Sequence, residues 1–191
     1  MALRMKTRFR RGGKKTPAER ASVVAFNFWK LAQEMYRRMH KEDFKFGSDE
    51  QVSAAMITET LAFLVQVADR LVYGQIPEDE RQQFVTALGI KLAETMQMNL
   101  SDLHGPKDYQ TPFIRTLNER FGDYAEFDFS GAQPGYGFLR YFAEQVSNAF
   151  AVTDSKWIIE QIIEIEAPEI LQHAKKLVHE VMGVVITSGK S

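Results

Sequence analysis

One run of residues limits the folds open to this chain more than any other, the stretch from Val52 to Tyr73. Spaced at 100° per residue, Ala54, Ile57, Leu61, Leu64, Val65, Ala68, Leu71 and Val72 fall on one arc, which Met56, Phe63 and Val67 widen. Roughly 200° of the helix surface is then apolar, about twice the width that a surface helix turns to a core. Such a helix has to be covered by several others. It is therefore the expected centre of an all-α bundle.

What remains polar on that helix is a narrow stripe of Thr58, Glu59, Gln66, Asp69 and Arg70. The simplest reading makes it the solvent face. If another helix covers it instead, Glu59 and Asp69 need partners, and Arg70 is the obvious local cation. A covered network of that kind would bind a polar ligand, so Glu59, Gln66, Asp69 and Arg70 are candidate ligand-binding residues. Glu59 and Arg70 stand three turns apart, about 16 Å along the axis, and cannot pair directly.

The rest of the chain supplies the covering helices. Thr16-Pro17-Ala18-Glu19 has the form of a capping box with proline at the first helical position. The helix it opens runs to about His40, with Val24, Ala25, Phe28, Trp29, Ala32, Met35 and Met39 on one face; Val23 and Phe26 fall among its polar residues. Ser48, with Gln51 in the reciprocal position, caps the central helix. A third helix, about 78–103, buries Val85, Leu88, Leu92, Met96, Leu100 and Leu103, with Gly89 and Ala93 open to close approach. A fourth restarts at Thr111-Pro112 with Phe113, Leu117, Phe121, Tyr124 and Asp128 on one face. A fifth, about 136–152, presents Phe138, Leu139, Phe142, Val146 and Phe150. Asp154 caps an isoleucine-rich sixth segment, which Pro168 must kink or break before a last helix ends at Gly183. No segment alternates with the period of a strand. The expectation is one all-helical domain of six or seven helices over residues 16–191, preceded by a disordered basic tail over 1–15.

Composition narrows the chemistry. The chain has no cysteine, which excludes disulfides, thiolate nucleophiles and cysteine-ligated metal sites and agrees with a cytoplasmic setting. No uninterrupted apolar run reaches the ~18–20 residues of a membrane span. The net charge of −1 hides a division: Arg4, Lys6, Arg8, Arg10, Arg11, Lys14 and Lys15 give residues 1–15 a charge of +7, leaving −8 on the remainder. The tail is thus either simply solvated or a contact for a polyanion, whose counterions seven clustered cations would release.

Two further places can carry chemistry. Glu166, His173 and Glu180 recur every seven residues with Glu169 beside them, and carboxylates with imidazole inside a helical bundle are the material of di-iron or di-manganese centres. The Glu-x-x-His spacing of such centres is missing, and Ala167-Pro168 can equally open a helix whose positive end favours Glu166 and Glu169. The segment 130–137, rich in glycine, has no phosphate-binding pattern; it reads as a connection in which Tyr136 would gate a pocket if the loop moves. The functional expectation is a non-catalytic binding protein with no cofactor, either a helical homo-oligomer or partner-binding module, or a bundle enclosing a small ligand. The alternative is a ferritin-like carboxylate metalloprotein with oxidative activity, using Glu59 with the 166–180 group.

Overall fold

The structure, a computed structural model, describes residues 15–41, 49–150 and 156–185. It is an all-α bundle. Its helices are α1 (Pro17–Lys41), α2 (Asp49–Val72), α3 (Glu78–His104), α4 (Gln110–Ala125), α5 (Tyr136–Ala149), α6 (Lys156–Gln161) and α7 (Ala167–Met182). Helix α2 is the axis, touching α1, α3, α4, α5 and α7. Its side chains from Leu61 to Ala68 are all buried, as the wide apolar arc requires. Among the described residues it is the one helix long and apolar enough to cross a membrane, and most of that length is buried against the other helices.

Local signals place the helix ends. The Thr16 amide donates to the Glu19 carboxylate at 2.9 Å and the Glu19 amide to the Thr16 hydroxyl at 3.2 Å, the reciprocal capping pair. Gly183, at φ 71°, closes α7 through its amide on the His179 carbonyl. The buried faces of α1 and α5 follow the expected stripes, but Leu103 on α3 and Ile165 on the last run are about half exposed. Phe26 is half-buried, with the Lys30 ammonium 4.4 Å above its ring. Gly89 accommodates a side chain rather than a backbone: a Cβ there would stand 3.0 Å from a Leu117 methyl. The Ser48 and Asp154 caps lie outside the described residues.

One stretch differs from expectation and another resolves an alternative left open. Phe129–Ser130 (β1) pairs antiparallel with Gln133–Pro134 (β2) in a minimal hairpin. Gly131 and Ala132, both at positive φ, make its turn, the geometry that two-residue hairpins favour. The second is at Pro168. Rather than breaking, the chain is helical from Lys156 to Met182 through a π-helical turn at Ile162–Glu166, where the Ala167 amide reaches back five residues to the Ile162 carbonyl. The wider turn takes up the crowding that the proline ring and its missing donor impose on a regular helix.

Candidate functional site

The polar stripe of α2 is not a solvent face. Glu59, Gln66 and Asp69 are all buried, because α3 and α4 lie over them. Nor is Arg70 the cation that neutralises them: its guanidinium donates to the Tyr124 carbonyl at 3.1 Å. Two arginines from other helices do that work. Arg120 of α4 clasps Glu59 with Nε on Oε2 at 2.8 Å and Nη2 on Oε1 at 2.7 Å. Arg81 of α3 pairs with Asp69 and, through its other nitrogens, with the exposed Glu78. Gln66, between them, is buried with its Nε2 unpartnered.

The Glu59 end is the more elaborate. Arg120 also donates to Gln145 Oε1 at 3.0 Å and to Asp123 Oδ2 at 3.1 Å, so one guanidinium ties α2, α4 and α5 together. Tyr141 donates its hydroxyl to the same Asp123 oxygen, and its ring lies 5.7 Å from the Arg120 guanidinium carbon. Hydrogen bonding to Glu59 is the largest influence holding Arg120 in its charged form. Burial, then the bond to Asp123, pushes the Tyr141 phenol up. Behind this network Phe63 stacks on Phe142 at 4.1 Å and Tyr124 packs on Phe138 at 4.4 Å, fixing the relative positions of the three helices. The Tyr124 hydroxyl is buried without a partner; burial, then the nearby Glu59 charge, pushes its pKa well above the usual phenol value.

Beside the ion pair the bundle is open. A cleft of about 490 Å³ lies between α2, α4, α5 and the α3–α4 connection. Ala54, Ala55, Met96, Leu100 and Phe113 give it apolar walls; Glu59, Arg120 and Gln145 form its polar end. Lys107, Asp108 and Tyr109 stand at the connection. A chain of hydrogen bonds holds that connection in place, with Gln97 accepting from the Tyr109 amide at 2.8 Å and donating to the Lys107 carbonyl at 2.7 Å. Asp108, exposed, accepts from the Thr111 amide at 3.0 Å, and that backbone bond lowers its pKa. A second cleft, about 410 Å³, lies at the other end of the stripe, between α3 and α4, with Asp69 and Arg81 against Val85, Ile90, Ile114 and Phe121.

The other sequence candidates are dispersed. Tyr136 is exposed at the first turn of α5 and does not line the larger cleft; Gln145 is nine residues further along, about 13 Å on a helix. Glu166 and Glu169 do not turn toward a metal position. Arg38 of α1 holds both, with Nη2 2.7 Å from Glu166 and Nη1 2.9 Å from Glu169. His173 Nδ1 is 2.8 Å from the Glu169 carbonyl, and Glu180 lies with His173 along the α1–α7 groove. Among the described residues no group of three histidine or acidic side chains is placed to hold a metal ion. Of the tail cations Lys15 falls within the described residues; Arg4, Lys6, Arg8, Arg10, Arg11 and Lys14 lie outside them.

Arg120 and Gln145 were absent from the sequence candidates, yet both carry a signal. Arg120 follows Phe113 by seven residues and Gln145 follows Phe138 by seven, which puts each on the apolar stripe of its helix; Glu59 stands in the same relation to Val52. A polar residue on a core stripe needs a partner from another such stripe. Three of them meet here. Comparison with known proteins gives no match: no family model, no characterised protein and no solved structure is significantly similar to the chain.

Proposed function

We propose that this is a binding protein whose cleft between α2, α4 and α5 takes a small amphipathic molecule. The observation that carries the reading is the cleft itself, about 490 Å³ with apolar walls that end on a buried, bidentate ion pair. Small-molecule sites have that size and that composition, a largely apolar enclosure with a few placed polar groups. The ion pair suits a recognition role better than a stabilising one, since apolar residues of equal volume would hold the helices at least as well. Tyr109 supplies flat surface, and Met96 adapts to the shape of what enters.

The test uses N-phenyl-1-naphthylamine, whose fluorescence rises in apolar surroundings. The expected result is saturable binding of one dye per chain. Ala55, half-buried on the wall of the cleft, is the place to block it. Ala55→Trp should weaken dye binding at least tenfold while leaving the helical circular dichroism and the melting temperature close to the parent. Unsaturable binding, or equal binding by Ala55→Trp, would remove the cleft as the site.

A further inference from the structure

We propose that the ligand of this cleft carries a cationic, ammonium-type head, with Glu59 as the group that receives it. The inference rests on the reading that the cleft binds a small molecule, and it concerns the chemistry of that molecule. It starts from how the polar end is occupied. A guanidinium has five N–H donors. Arg120 directs four of them to protein oxygens, two to Glu59, one to Gln145 and one to Asp123. Its positive charge is spent on two carboxylates at once. An anionic head entering the cleft would find that cation already neutralised.

The acceptors are in the opposite condition. An ionised carboxylate offers about four lone-pair positions, and Glu59 receives two hydrogen bonds, both from Arg120. The charged residues of the lining, Glu59 and Asp108 with Arg120 and Lys107, balance. At the polar end, however, Arg120 also bonds Asp123 behind the lining, so Glu59, Asp123 and Arg120 together leave an excess of one negative charge there. Lys107 is no counterweight at the polar end: it is exposed at the connection, with its ammonium 5.9 Å from the Tyr109 ring. Glu59, in contrast, has a side chain only 11% exposed, where a Coulombic attraction is screened far less than in bulk water. Tyr109, half-buried on the lining, adds an aromatic ring that attracts an ammonium group further. An ammonium head on Glu59 with an alkyl or aryl body along Ala54, Met96 and Leu100 uses both halves of the cleft.

The experiment is a calorimetric titration of the full chain with three probes of equal length, n-octylammonium, n-octanol and n-octanoate, each below its aggregation concentration. The expected order is ammonium tightest, at least tenfold over the alcohol, with the carboxylate weakest. Added salt should reduce the preference for the ammonium probe. Glu59→Gln should bring the ammonium probe within about threefold of the alcohol. Because that variant disturbs a buried pair, Asn148→Lys serves as the second: Asn148 is exposed on α5 and lines the same cleft. A cation placed there should weaken the ammonium probe and strengthen the carboxylate. Equal binding of ammonium and alcohol, or a preference for the carboxylate, would overturn the cationic head and leave the cleft as a small-molecule site. Failure of all three probes, together with unsaturable dye binding, would overturn the cleft itself.

Discussion

Glu59 and Glu166 are built alike and placed differently. Each is a buried glutamate held by an arginine from a distant helix, Arg120 over Glu59 and Arg38 over Glu166. At Glu166 the protein closes around the carboxylate, while Arg38 reaches it from a partly exposed position. The carboxylate sits at the end of the π turn, its side chain 3% exposed, and the remaining reach of Arg38 goes to Glu169 one turn on. At Glu59 both members of the pair are covered, the arginine side chain 15% exposed and the carboxylate 11%, and a cleft opens beside them. The same two residue types therefore give a clamp in one place and the polar end of a binding cleft in the other. The difference lies in the space beside the pair.

The largest effect expected from breaking this comparison is at Arg38. Arg38→Ala leaves Glu166 buried without the cation that pairs with it among the described residues, a change that costs about 3–5 kcal/mol in buried pairs. Chemical denaturation of the parent and the variant checks the loss. A loss under about 1 kcal/mol would mean that Glu166 is solvated in the folded state and the clamp is not closed.

Arg120→Ala should cost less, about 2–3 kcal/mol, because water entering the cleft can solvate the Glu59 carboxylate that the substitution exposes. The paired replacements sharpen the contrast. Removing both charges, as Arg38→Met with Glu166→Met or Arg120→Met with Glu59→Met, should recover most of the stability in each region, since well-packed apolar residues replace buried ion pairs at little cost. Only the second double variant should lose the ammonium probe's preference. Loss of that preference in the Arg38/Glu166 pair as well would show that the two regions are coupled and not separate devices.

This pattern explains what could be read from the sequence and what could not. The Thr16–Glu19 box was legible because both partners lie within one turn, and the central place of α2 because an apolar arc leaves few alternatives. The Arg120–Glu59 pair joins residues 61 apart, and its choice over Arg70 depends on which face α4 lays against α2. Helix periodicity shows that Arg120 is on a core stripe; it does not show which stripe it meets. The π turn has a similar status. Pro168 announces that a regular helix cannot continue unchanged, but whether the strain ends the helix or widens one turn depends on the packing of the residues on either side, Ile162 and Ile170, both buried. The hairpin at Phe129–Pro134 has two residues per strand, too few for any alternation to register.

The smallest effect expected is at the other end of the α2 stripe, and its sign is informative. Asp69 is paired with Arg81, yet burial outweighs that pairing and pushes its pKa above the ordinary 3.8. A carboxyl whose folded pKa is raised binds its proton more tightly in the folded state. Its contribution is fully present below 3.8 and is lost as pH rises through the folded value. Asn imitates the protonated form at all pH values, and Arg81 keeps Glu78 as a partner in the variant. Asp69→Asn should therefore match the parent in acid and gain on it toward neutrality, by less than about 1 kcal/mol because the site is partly open to solvent. Denaturation midpoints across that range decide the matter. If Asp69→Asn instead falls behind as pH rises, the pairing with Arg81 outweighs burial. Asp69 would then be a clamp of the Glu166 kind, and the smaller cleft beside it would lose the strained carboxylate that now sets it apart.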